Sequence, residues 1–291
     1  MRKLSYLILI LFSTFLNANE KIVLQLKWFH QFQFAGYYAA KEKGFYDEVG
    51  LNVEIRQRDL KYNNIDEVIN GNAQYGVADS ILILYRLKQQ PVVIVSPVFQ
   101  HSPSVFISLK KSNISSVYEL NNKDILFYPN DTDGFSLLAM IKKFDLDVNL
   151  VRERYKDDYM RLINNEVDVM PAYIANEPFL FKEKGYDVNI INPTNYGFDM
   201  YGDMLFTNED EAKNNPIRVE KFKEATLKGW KYALENKEEI TQLINEKYSK
   251  EKSIEHLRYE ANATDSLINK DVTHLGYLDQ GRIRYISEMY E

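Results

Sequence analysis

An alternating apolar strand running into an aromatic, amide-rich turn and then a helix is the feature that most restricts this chain's fold. Residues 21–46 read KIVLQLKWFHQFQFAGYYAAKEKGFY. Ile22, Leu24 and Leu26 alternate as in a half-buried strand. Trp28 to Phe34 break that pattern, Gly36 to Lys43 read as a helix, and Gly44 is its stop. The rhythm then repeats: LNVEIRQ at 51–57 is a strand and IDEVING at 65–71 a short helix. YGVAD at 75–79 is a buried strand, 80–88 a helix, and PVVIVSPVF at 91–99 a strongly apolar strand. Strands alternating with helices are most simply satisfied by an α/β layer with a mainly parallel sheet.

A second unit of the same kind starts near residue 105. VFISL at 105–109, ILFYP at 125–129, VDVMPAY at 167–173 and VNII at 188–191 are its strands. Helices are expected at 136–144, at 157–166, and from Asn176 to a stop at Gly185. NYGFDMYGDMLF at 195–206 leads back to the first unit. Asn215 and Pro216 then open a long helix, as cap and first position, with Val219, Phe222, Thr226, Trp230 and Ala233 along one face. Helices continue through roughly 236–270, and Ile283, Ile286 and Met289 share a helical face in the tail. The second unit is bracketed by parts of the first. This predicts a type II, two-lobed arrangement: lobe 1 from 20–106 and 204–291, lobe 2 from 107–203. Each lobe is expected to be a mainly parallel sheet flanked by helices, with crossings near 104–110 and 200–206 as the hinge. A cleft between lobes, beyond the carboxyl ends of strands, is a favoured ligand site.

Composition narrows the function classes. A net charge of -6 with no basic stripe argues against nucleic acid. The absence of cysteine excludes disulfides, thiolate chemistry, cysteine-held metals and a lipid anchor on an N-terminal cysteine. Residues 1–18, MRKLSYLILILFSTFLNA, carry Arg2 and Lys3, an apolar run and a small-residue end. They read as a secretory signal peptide cleaved near Ala18 or Asn19, the run being short for a membrane span. The expected location is the periplasm, free of a lipid anchor, and the expected state a monomer.

Candidate site residues fall at strand ends. Trp28 follows the first strand among His30, Gln31 and Gln33, as a stacking plate for a flat ring or as a core anchor. Tyr37 and Tyr38 open the helix, one of them facing the core. Asp79 is either a helix cap or an acceptor for an amino group. Gln100 and His101 end an apolar strand and line a crevice or cap the next turn; His101 lacks a serine, cysteine or metal partner in sequence. The loop at Asn130 offers backbone amides to an anion, opposed by Asp131 and Asp133, or is a turn and cap. Tyr173, Asn176 and Glu177 stand at the matching strand end of the second lobe. Glu177 is either a helix-start acid or an acceptor for a ring nitrogen and an exocyclic amine. Tyr196, Asp199, Tyr201 and Asp203 form either an acidic wall or a hinge cluster. HExxH, Walker, GxSxG and glycine-rich dinucleotide motifs are all missing, so the chain is not expected to be an enzyme or to hold a cofactor or a metal.

LQLKWFHQFQFAGYYAAKEKGFY resembles the thiamine-pyrimidine-precursor family: substrate-binding proteins of ABC importers, related sensor domains, and a eukaryotic pyrimidine-synthesising branch. YGVADSILILYR, PVVIVSPVFQHSP, VDVMPAYIANEPFLF, YGFDMYGDMLF, FKEATLKGWKYALE and LGYLDQGRIRYISEMY extend the resemblance over nearly the whole mature chain. It implies a two-lobed periplasmic binding protein for a thiamine pyrimidine precursor, with Trp28 stacking on the ring and Glu177 meeting an amine. The synthases use a lysine, a histidine and a cysteine-rich motif. Here Ala78 and Leu82 stand at the first two places and no cysteine exists, which argues against synthase chemistry. Relatives often precede a membrane helix and a histidine-kinase region. The chain is expected to lack such an output module and to serve either an importer's membrane subunits or a separate membrane sensor kinase. Another small solute, such as a sulfonate, an amino acid or a different nitrogen heterocycle, is the competing ligand. A pyrimidine-processing enzyme and a sensor-side interaction protein are the further alternatives.

Overall fold

The structure is a computed structural model that describes residues 20–127, 134–151, 159–269 and 271–290. The signal-peptide reading and Asn130 lie outside the described residues. The first lobe begins with β1 (Glu20–Gln25), whose apolar residues from Ile22 onward are buried. Leu26 extends the buried run and the chain turns at Trp28. Next come α1 (Ala35–Glu42), α2 (Phe45–Glu48), β2 (Leu51–Arg56), α3 (Asn64–Ile69), β3 (Tyr75–Ala78), α4 (Ile81–Leu87) and β4 (Val92–Pro97). β1 pairs in parallel with β2, Leu24 opposite Ile55, and with β3, Leu24 opposite Tyr75. Gly44 takes φ +76 between α1 and α2, the stop the sequence predicts.

The second lobe follows as β5 (Ser104–Leu109), β6 (Asp124–Leu126), α5 (Phe135–Lys143), β7 (Asn149–Val151), α6 (Tyr159–Ile163), β8 (Met170–Tyr173), α7 (Glu177–Glu183) and β9 (Val188–Ile191). β5 is central and antiparallel to both β8 and β9, while β6 and β7 pair in parallel beside them. The chain returns through β10 (Met204–Asn208), which inserts antiparallel between β3 and β4 to complete the order β2-β1-β3-β10-β4. Helices α8 (Glu209–Asn214), α9 (Pro216–Glu235), α10 (Lys237–Lys247), α11 (Ile254–Ile268) and α12 (Gln280–Tyr290) then wrap the first lobe.

The two-lobed α/β architecture is the expected one, but the sheets are mixed rather than mainly parallel. The reason is directional. β1, β3 and β8 run toward the cleft and end there. β5 and β10 each arrive from the other lobe and start there, so they oppose their neighbours. The pairing Met204–Ala78 therefore sets Asp203 beside Asp79, and Ser104–Tyr173 sets the start of β5 against the end of β8.

α1 and α9 hold the first lobe together. Phe222, Thr226, Trp230 and Ala233 are buried as their spacing predicts. A Cβ on Gly229 would lie 2.2 Å from the Gly36 carbonyl oxygen, so the helices touch backbone to backbone there. The expected cap at Asn215 is not made. Its amide instead donates to Glu211 Oε2 at 3.0 Å, and Pro216 alone starts α9. Pro lacks an N–H, so one orphan donor of the helix start is removed without a cap.

Candidate functional site

A cavity of about 100 Å³ lies between the lobes. From the first lobe Lys27, Trp28, Gln31 and Gln33 line it. From the second come Ser104, Phe127, Gly134, Leu137, Met170, Pro171, Ala172, Tyr173, Asn176 and Glu177. The first group follows the carboxyl end of β1. The second comes from the paired ends of β5 and β8, with an apolar floor from the segment after β6 and from α5. Such mixed linings, largely apolar with a few convergent polar groups, are typical of small-molecule sites.

Trp28 is half-buried, with Phe29 edge-on at 5.4 Å between ring centroids, and its indole borders the cavity. Across from it, Glu177 opens α7 and folds back. Its Oε2 accepts from the Tyr173 N–H and its Oε1 from the Asn176 amide, both at 2.7 Å. Burial pushes the Glu177 carboxyl above its ordinary range, opposed by the Tyr173 N–H, the Lys252 charge and the Asn176 amide. Two hydrogen bonds leave a carboxylate with about two further acceptor sites.

Lys27 is the residue the sequence reading missed. It is 1% exposed, with its ammonium 3.4 Å from Asp203 Oδ1 and 3.7 Å from Asp79 Oδ2, and it donates to the Tyr173 hydroxyl. A cation taken out of water persists only when paired and hydrogen-bonded. Here the strand ends supply the partners: Lys27 just past β1, Asp79 just past β3, Asp203 just before β10. Gln33 joins them by donating to Asp203 Oδ2 at 2.8 Å. The available signal was a lysine at a strand end with acids at two neighbouring ends, but strand order is not written in the local pattern. Ser104, Phe127, Leu137 and Met170 were also missed, because each reads as ordinary strand, loop or helix apolar sequence.

The structure brings Trp28, Gln31, Tyr173, Asn176 and Glu177 to the cavity and leaves the other described candidates elsewhere. Tyr37 is fully buried in the first lobe, edge-on to Trp230 at 5.8 Å, because it sits on the α1 face that meets α9. Asp79 Oδ1 accepts from the Ile81 N–H at 3.0 Å at the start of α4, and Asp79 meets the site through Lys27. Gln100 donates to the Tyr277 carbonyl at 3.0 Å. His101 lies 2.8 Å from Asp199 Oδ1, joining the two crossings, and Arg282 reaches Asp199 at 2.9 Å. Tyr201 accepts from the Asp279 N–H and stacks under the Arg282 guanidinium, while Tyr196 accepts from the Val117 N–H. Gln100, His101, Asp199 and Tyr201 knit the crossings to the C-terminal segment, while Tyr196 ties the second crossing to the second lobe. The crossings run side by side. The Phe99 carbonyl accepts from the Gly202 N–H at 3.1 Å, and a Cβ on Gly202 would come within 2.8 Å of the His101 carbonyl oxygen. Among the described residues no group of three or more His, Asp and Glu is placed to hold a metal ion.

With this geometry in view, residues 31–240 match the family described as NMT1/THI5 like. The chain belongs to that family. The riboflavin-binding protein RibY of Chloroflexus aurantiacus is 26% identical over 236 residues, covering 77% of this chain and 65% of RibY. A formylaminopyrimidine-binding protein of Halalkalibacterium halodurans is 24% identical over 233 residues, covering 78% of this chain and 71% of that protein. The chain thus spans about two thirds of the length of these relatives. Among solved structures, the periplasmic aliphatic sulphonate-binding protein SsuA of Escherichia coli superposes with a TM-score of 0.66 at 12% identity, over 91% of this chain and 96% of SsuA. The fold is the type II periplasmic binding fold.

Proposed function

We propose that this NMT1/THI5-like protein is an extracytoplasmic receptor for a thiamine pyrimidine precursor, an aminopyrimidine that it delivers to the membrane subunits of an ABC importer. The observation that carries the reading is that Trp28 and Glu177, from opposite lobes, border one cavity. A flat ring against the indole would gain dispersion and stacking, and an amino group would donate to the Glu177 carboxylate. The crossings serve as the hinge, at 98–103 and 198–203 rather than near 104–110 and 200–206, because β5 and β10 take up 104–109 and 204–208, and ligand shifts the lobes toward closure by binding the closed form more tightly.

Charge and the ligands of the relatives support this reading. The relatives' named ligands, riboflavin and a formylaminopyrimidine, are both planar nitrogen heterocycles. A sulfonate needs surplus positive charge, whereas the Lys27 ammonium is held between Asp203 and Asp79. Periplasmic location is supported by the signal-like N-terminal sequence and by the periplasmic SsuA fold.

Titration calorimetry with a 5-hydroxymethyl-4-aminopyrimidine tests the reading. Binding is expected, with Trp28→Ala weakening it by roughly 10- to 100-fold, the scale of one base–aromatic stack. Glu177→Gln is expected to weaken it by about 10-fold or more, since a charge-assisted hydrogen bond is lost. No heat at millimolar ligand with the wild type overturns the assignment.

A further inference from the structure

Lys252 lies outside the cavity, in the segment joining α10 to α11 and largely shielded from solvent, and it touches cavity residues of both lobes. Its ammonium donates to Gln31 Oε1 in the first lobe and to Asn176 Oδ1 in the second, the latter at 2.7 Å. Glu260 on α11, 2% exposed, holds the charge in place. We propose that Lys252 is a positioning residue that sets the donor and acceptor direction of the ligand cavity when the lobes meet. The proposal rests on the aminopyrimidine reading above.

An ammonium donates and never accepts, so Lys252 selects the oxygen of each amide and turns each NH₂ away from itself. The Gln31 NH₂ then donates to Gln33 Oε1, and the Gln33 NH₂ donates to Asp203 Oδ2 at 2.8 Å. The Asn176 NH₂ donates to Glu177 Oε1 at 2.7 Å. Two chains of hydrogen bonds thus leave one cation and end on two carboxylates, each bond aligned with the next. The cavity end of the second chain is Glu177, an acceptor, so the site favours a ligand that presents an amine over one that presents a carbonyl. Without Lys252 either amide can flip and offer an NH₂ where an oxygen now stands.

Closure is built into this arrangement because Asn176 belongs to the other lobe. α7 packs on α11 around the same point. The Tyr259 hydroxyl donates to the Ile174 carbonyl at 2.9 Å, and the Phe179 ring lies 5.2 Å from that of Tyr259. Lys252 reaches both amides only when these surfaces are together.

The test compares wild type, Lys252→Met and Lys252→Arg by calorimetry with two probes, the 4-aminopyrimidine above and its 4-oxo counterpart. Wild type is expected to prefer the amino probe. Lys252→Met is expected to weaken that probe at least 10-fold and to shrink the amino-to-oxo preference about 10-fold, with Lys252→Arg restoring most of it. A preference within twofold of wild type in Lys252→Met overturns the proposal, since loss of mere packing would lower both affinities together. If Lys252→Met does not fold, Lys252→Gln carries the same comparison without the charge. If wild type binds neither probe, the aminopyrimidine reading fails by itself. The role of Lys252 is then read from small-angle scattering of the ligand-free protein. A larger radius of gyration in the variant supports the tie between lobes, and an unchanged one overturns it.

Discussion

Trp28 and Tyr37 lie nine positions apart on the same strand–turn–helix unit, and only the first borders the cavity. Tyr37 points the other way, into the α1–α9 contact, where burial pushes its phenol well above the ordinary range, with nearby Asp203 adding to the effect. Its hydroxyl and the Trp230 Nε1 are both buried without a hydrogen-bond partner of good geometry among the described residues. Leaving such a group unsatisfied is costly, so removing it is cheap. Tyr37→Phe is therefore expected to keep stability within about 1 kcal/mol of wild type or to raise it, and to leave ligand affinity within twofold. Urea unfolding and calorimetry check the two halves. The residue pattern showed that one of Tyr37 and Tyr38 faces the core. In the structure both are buried, because α1 is enclosed on the α9 side and also beneath Tyr248.

Among elements, the α1–α9 crossing has the least room for change. A Cβ on Gly36 would fall 2.1 Å from Trp230 Cγ, and one on Gly229 would fall 2.6 Å from the Ala40 Cβ as well as against the Gly36 carbonyl. Backbone atoms cannot move aside as a flexible side chain can, so overpacking here must displace a helix. Gly229→Ala is expected to cost about 3 kcal/mol or more, seen as a lower urea midpoint with little change in slope. The helix itself is legible from the spacing of Phe222, Thr226, Trp230 and Ala233. Which helix it meets is not, since Gly36 and Gly229 are nearly 200 positions apart and each alone reads as a weak helix residue. The same holds for strands. Alternation marks β1 and β2 as strands, but β5 and β10 carry no local sign that they run against their neighbours.

At the scale of the whole molecule, the lobes meet around a buried histidine. His256 on α11 is 3% exposed and faces Phe179 of the other lobe at 4.9 Å, with Glu183 3.5 Å from its Nδ1, Glu260 3.8 Å from its Nε2, and Lys252 nearby. Burial, then the Lys252 charge, lowers its pKa from 6.5 to about 4. A base with a depressed native pKa is protonated first in the unfolded chain, so the unfolded state binds more protons between those two values. Stability is expected to fall as pH drops from 6.5 toward 4 on this account. The Glu177 and Glu260 carboxyls, raised by burial, oppose the trend as they take up protons in the native state. His256→Gln isolates the histidine: its stability should decline less than that of wild type between pH 7 and pH 5 in parallel urea titrations. Equal declines would show that the ring is not held neutral between the lobes.

What the sequence by itself determined is the set of local facts: which segments are strands or helices, that a second α/β unit interrupts the first, and that Trp28 and Glu177 stand at strand ends. These follow from periodicities of two and 3.6 residues and from turn chemistry, which act over a few positions. Only the tertiary structure decided that Lys27 joins Asp79 and Asp203, that His101 and Asp199 tie the crossings and not the cavity wall, and that Lys252 reaches Gln31 and Asn176 together. Each of these depends on strand order and on how closely two lobes approach. Those are settled by packing between residues 52 to 221 positions apart, which no short window of sequence contains.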